Sequence, residues 1–168
     1  MTDMEKLFNR ADVIAAIEDE NLDYVYKLDS TEEITQFLFD KGVDPLEYVT
    51  EIWAYMFFGF DISSITIPGR IKTIHNRAFE ACTDLETVTI EEGVKRIKTQ
   101  AFAGCKHLEV VNLPSTIEGI GEWAFHSKGL VVNYNGTVDD FDKIVMGNEA
   151  FASGTRIHCL KDNFLYLW

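Results

Sequence analysis

The sequence predicts an α+β chain in which a stacked-coil solenoid follows an N-terminal α-helical cap. Three observations predict it. A segment of 23 residues recurs without a gap over 61–83, 84–106 and 107–129. Apolar residues return at the same positions of every unit. The residues before the first unit carry helical signals and a different charge balance. A period of 20 to 50 residues marks supersecondary units that bury their apolar face only by stacking on one another.

The chain divides into a helical cap, 1–48, and a solenoid with an apolar C-terminal cap, 49–168. In the cap, a first helix is expected near Thr2 or Asp3 and includes Leu7 and Phe8, and a helical pattern continues through 11–17 and 22–28. A clearer start follows. Ser30 and Glu33 have the spacing of a capping box, with Ile34, Phe37 and Leu38 at helical spacing behind it and Gly42 as a stop. Asp44-Pro45 then opens another helix, carrying Leu46, Val49, Trp53 and Met56. Residues 49–57 also align with Val94, Ile97 and Ala101-Phe102 as half of a repeat unit, with Met56 where Ala stands later.

In each unit, positions 5 and 7 are apolar (Ile65 and Ile67, Val88 and Ile90, Val111 and Leu113) between small or polar neighbours. That alternation is the period of a strand with one face buried, so strands are expected over 63–67, 86–90 and 109–113. A second extended piece runs through positions 11 to 14, marked by Ile71 and Ile74, Val94 and Ile97, Ile117 and Ile120. Positions 18 and 19 are Ala-Phe in all three units, where a tight turn or short helix begins and Phe fills the coil centre. Position 22 reads Cys82, Cys105, Lys128. Like residues should stack at about 4.8 Å, the strand-to-strand distance in a sheet. The apolar run 164–168 is expected to close the far end.

The pattern I-T-I-P-x-x-I-x-x-I-x-x-x-A-F-x-x-C-x-x-L, in register over three units, resembles the BspA-type (Treponema pallidum-type) leucine-rich repeat. The resemblance extends from about Val49 to an irregular closing unit: Tyr134-Asn135-Gly136-Thr137, then Phe141, Ile144 and Ala150-Phe151. It implies a short right-handed leucine-rich-repeat solenoid of about four coils. It also implies a function in binding rather than catalysis. Many members of that family are secreted adhesins. Here the opening residues, MTDMEKLFNR, carry acids early and no apolar core, so no secretory signal is expected and the chain is assigned to the cytoplasm.

The net charge is −13, and it is uneven: residues 1–60 carry 14 acids against 4 bases, residues 61–168 carry 14 against 11. Such a surface disfavours direct contact with nucleic acid, because phosphate contacts dominate that affinity. No run of 18 apolar residues predicts a membrane span.

The motifs of catalysis are missing. There is no G-x-S-x-G, phosphate-binding loop, H-E-x-x-H or dinucleotide fingerprint, so a non-enzyme without cofactor or metal is expected. Asp139, Asp140 and Asp142 open like a calcium loop but lack its later Gly and Glu. Cys82, Cys105 and Cys159 read as buried thiols; a Cys82–Cys105 disulfide is the sharper alternative.

The expected partner is another protein. Position 4 and 6 side chains point out from the first strand of each unit and form an uncharged strip: Ser64, Thr66, Thr87, Thr89, Val110 and Asn112, extended by Val131 and Asn133. Trp123 is added as an interface anchor, with packing under the closing unit as the alternative. A basic patch, Arg70, Lys72, Lys95, Arg96 and Lys98, either pairs with neighbouring acids such as Glu118 or meets an acidic partner. A second functional reading is an acidic inhibitor, of the kind mobile elements and phages encode, that occupies a nucleic-acid-binding protein through Glu18, Asp19, Glu20 and Asp23. A third is assembly of copies through the open faces, a homo-oligomer.

Overall fold

The computed structural model describes residues 31–40, 42, 44–47 and 49–168. It forms two compact units, Met1–Val49 and Thr50–Trp168. In the first, α1 (Thr31–Asp40) buries Leu38 and Thr35. It ends at Gly42, whose N–H reaches the Phe39 carbonyl at 2.9 Å with φ +74°. That left-handed step stops the helix as the sequence implied. The earlier helices and the Ser30 cap lie outside the described residues.

The helix expected from Pro45 to Met56 does not form. One 3-10 turn, Pro45–Glu47, is pinned by Asp44 Oδ1, which accepts the Leu46 N–H at 2.8 Å. The chain then extends into β1 (Glu51–Ile52), which pairs in parallel with β3 (Thr73–Ile74). Lys72 and His75 donate their N–H groups to Thr50 and Ile52 carbonyls at 2.8 Å. The half-unit reading of 49–57 therefore holds: pairing with the next coil overrides the local helical signal.

Four complete coils follow. Their first strands are β2 (Ser64–Ile67), β4 (Thr87–Ile90), β6 (Val110–Leu113) and β8 (Val131–Tyr134). Their second strands are the two-residue β3, β5 (Arg96–Ile97), β7 (Gly119–Ile120) and β9 (Val145–Met146). The first three of the first strands each start one residue later than the alternation suggested. β10 (Arg156–Cys159) lies parallel on β8, and β11 (Phe164–Leu167) folds back antiparallel on β10. The result is a five-stranded sheet, β1-β3-β5-β7-β9, and a six-stranded sheet, β11-β10-β8-β6-β4-β2.

A buried column of rings runs from coil to coil. Phe57, Phe79, Phe102, Phe125 and Phe151 stack at 4.8, 4.9, 4.9 and 5.6 Å with interplanar angles of 11° or less. An edge-on ring closes each end: Phe60 against Phe57 at 5.3 Å and Trp168 against Phe151 at 5.4 Å. The Ala-Phe segments are turns, not helices. The turn amides bond from coil to coil, as Phe79 N–H does to the Ala101 carbonyl at 2.8 Å.

The thiols of Cys82 and Cys105 donate to the carbonyls of Phe57 and Phe79 at 2.9 and 3.1 Å, so all three cysteines are buried and free. The adjacent Cys82 thiol, with burial, raises the Cys105 pKa. Lys128 does not occupy the cysteine position. The step from Val110 to its partner Val131 is two residues shorter than a full unit, and the buried residue here is Ser127, which donates to the Cys105 carbonyl at 2.8 Å. Lys128 is left exposed.

The fourth coil carries α2 (Val138–Phe141) between its strands. Thr137 caps it, accepting the Asp140 N–H at 3.1 Å, and Asp140 Oδ1 takes Lys143 at 3.2 Å. The acidic run thus starts a helix. Glycines sit where coils pass too closely for a side chain: a Cβ on Gly121 would strike the Thr99 nitrogen, and one on Gly147 the Glu122 nitrogen.

Phe102 has a ring on both faces, and Phe102→Ala should cost about 3–5 kcal/mol in urea unfolding. Phe164, half exposed at the sheet edge, should cost far less when truncated.

Candidate interaction surfaces

The parallel register sets the outer face of the six-stranded sheet. One row runs Ser64, Thr87, Val110, Val131, Arg156; the next runs Thr66, Thr89, Asn112, Asn133, His158. Six of the seven residues predicted as partner-binding, Ser64, Thr66, Thr87, Thr89, Val110 and Asn112, therefore share one face. Ser64 and Thr66 are exposed; the other four are half-buried by their neighbours. Asn133 Nδ2 donates to Asn112 Oδ1 at 2.9 Å, and Asn112 Nδ2 donates to Thr89 Oγ1 at 3.0 Å. This chain of amides and hydroxyl fixes the rotamers across three coils.

Trp123 is elsewhere. It stands in a different row, on the turn after β7, with Tyr55, Arg77, Gln100 and Glu149 at the equivalent positions of other coils. All five are non-glycine residues with φ between +47° and +62°. That region costs an L-residue roughly 1–2 kcal/mol. Coil-to-coil bonds hold it: Arg77 N–H to the Thr99 carbonyl, Gln100 N–H to Glu122, Trp123 N–H to Asn148. The side chains also link. Arg77 reaches Gln100 Oε1 at 2.8 Å and the Tyr55 hydroxyl at 3.1 Å, and Trp123 Nε1 reaches Glu149 Oε2 at 3.0 Å. Trp123 is exposed, so it does not pack beneath the closing unit. Sequence reasoning missed this row, because nothing but Trp123 marked it and no glycine signalled its backbone.

The basic patch is partly spent internally. Lys95 Nζ meets Glu118 Oε1 at 2.6 Å, Arg96 meets its other oxygen at 3.4 Å, and Lys72 Nζ donates to the Gly69 and Gly93 carbonyls. The Lys95 hydrogen bond lowers the Glu118 pKa. Lys98 is exposed beside a shallow groove of about 720 Å³ floored by Gly119, Gly121 and Gly147. Arg70 is exposed and engaged. Glu18, Asp19, Glu20 and Asp23 lie outside the described residues.

Among the described residues no group of three or more His, Cys, Asp or Glu side chains is placed to hold a metal ion. No helix among them is long and apolar enough to cross a membrane.

The family model of the BspA type leucine rich repeat region matches six copies, over residues 16–131 and 40–158. The chain belongs to the BspA-type leucine-rich repeat family. Proteins of this kind are commonly surface or interaction modules and generally not enzymes. Among solved structures, a leucine rich cell surface protein from Faecalibacterium prausnitzii A2-165 is similar at 24% identity and TM-score 0.48, over 58% of this chain and 33% of that one. The pneumococcal vaccine antigen PcpA is similar at 19% identity and TM-score 0.47, over 71% of this chain and 40% of that one. This BspA-type chain thus spans well under half the length of either. No curated protein matches it.

The repeat also carries an internal carboxylate clasp. Glu92 Oε1 accepts from Ser115 N–H at 2.9 Å and from Asn135 Nδ2 at 2.8 Å, tying three coils together. Burial pushes its pKa up, but the hydrogen bonds from Ser115 and Asn135 outweigh that and lower it. A lowered folded-state pKa stabilises the fold above the ordinary carboxylate range and loses that stabilisation as pH falls through the folded value. The stability gap between the native chain and Glu92→Gln should be full at neutral pH. It should shrink as pH drops below about 4.3, read as unfolding midpoints across a pH series.

Proposed function

We propose that this BspA-type repeat is a non-enzymatic module that binds another protein across the outer face of its six-stranded sheet. The observation that carries the reading is the hydrogen-bonded chain Asn133–Asn112–Thr89, which holds outward side chains in fixed rotamers on a rigid parallel sheet. Preorganised side chains lose little entropy on binding. From β2 to β8 the face bears no charge in a chain of net charge −13, so an acidic partner is not repelled there. A cytoplasmic setting belongs to the same proposal, supported by three free thiols at the core. No observation among the described residues favours the acidic-inhibitor reading.

The test is a paired capture. A protein recovered from the native cell by the wild-type chain should bind Thr66→Lys/Thr87→Lys at least about tenfold more weakly. The variant's melting temperature should stay unchanged, because both side chains lie on the solvent side of the sheet. Lys98→Ala, just past β5 of the other sheet, should bind as wild type. Equal binding by the strip variant would overturn the assignment of this face.

A further inference from the structure

The end of the six-stranded sheet is built unlike the rest of it. Every strand from β2 to β10 lies parallel to its neighbours; β11 alone is antiparallel and is last in the sheet. Trp168 donates its N–H to the Thr155 carbonyl and accepts from Gly154 N–H, both at 2.9 Å. Backbone groups alternate sides along an antiparallel strand. Phe164, Tyr166 and Trp168 therefore spend theirs on the β10 side, while Leu165 and Leu167 turn theirs to the open edge.

Among the described residues no strand pairs with that edge. Phe164–Leu167 contains neither charge nor proline, the usual devices against strand addition. Leu165 and Leu167 lie opposite His158 and Arg156 in register, so they extend the two outward rows. They are 62% and 73% exposed, with Phe164 at 50% and Leu160, in the preceding turn, at 48%. This is the largest concentration of exposed apolar side chains among the described residues.

The direction of β11 selects the occupant. β11 already fills, in reverse, the slot where a further coil would add a parallel strand, so the edge does not template another repeat in the parallel register. A second copy related by a two-fold axis presents β11 antiparallel to β11 by symmetry. With the axis at residue 166, Leu165 of one copy faces Leu167 of the other on both sides. These two pairs exchange the backbone groups that are otherwise open, and the exposed leucines of both copies come together on the outer face.

We propose that this chain self-associates into a two-fold dimer through β11, joining two six-stranded sheets into one continuous surface. A single strand pair buries less than the ~1,200 Å² of a stable interface, so the dimer is concentration-dependent. The proposal goes beyond the partner-binding reading and is measured without any partner.

Sedimentation velocity on the full chain from about 1 µM to about 1 mM should show the mass rising from one chain toward two and stopping there. Leu165→Lys/Leu167→Lys should remain a monomer throughout with an unchanged circular dichroism spectrum. If the lysines disturb folding, Leu165→Thr/Leu167→Thr should weaken the dimer instead. Leu165→Cys/Leu167→Cys should give a covalent dimer on a non-reducing gel. A wild-type monomer at the highest concentration, growth beyond two chains, or a folded lysine variant that dimerises like wild type would each overturn the proposal.

Discussion

The fold rests on one constraint: each coil must lie in register on the one before it. The ring column makes the constraint visible, since four successive spacings of 4.8 to 5.6 Å match the separation of hydrogen-bonded strands. A coil that slipped by one residue would turn its buried isoleucines outward, lose its ring from the column and break its bonds to both neighbours. Register, core and backbone pairing are thus a single condition met at several places. That is why Val49 to Phe57, in which the sequence also carries helical signals, is drawn into the first half-coil from Thr50 onward instead.

The interior was legible because it is periodic. Ile67, Ile90 and Leu113, or Phe79, Phe102 and Phe125, announce themselves by recurrence, and each lands where its unit position placed it. What escaped was everything that breaks or rides upon the period. The loss of two residues after Phe125 cannot be seen while units are counted in fixed blocks, so Lys128 was set at a buried position although it is exposed. The reversal of β11 has no signature in five nearly apolar residues. The strained row of Tyr55, Arg77, Gln100, Trp123 and Glu149 shares a backbone conformation and no side-chain chemistry, so composition could not reveal it. The strip on the six-stranded sheet was found because strand alternation alone decides which side chains face out.

Inside and outside follow different rules in this molecule. Buried positions repeat almost without variation, and where the unit shortens the buried Ser127 makes a bond of its own, to the Cys105 carbonyl. Outward positions vary from coil to coil, yet neighbours remain coupled: Arg77 with Gln100 and Tyr55, Trp123 with Glu149, Glu92 with Ser115 and Asn135. The exterior is therefore assembled across coils rather than within single units.

The row of left-handed residues has a consequence for how such a protein changes. Its backbone is held by amides from the adjoining coil, and its side chains project away from the ring column. Substitution there alters what the molecule presents to its surroundings while leaving the ring column in place. What the row presents to solvent and what makes the coils stack are thereby set by different atoms.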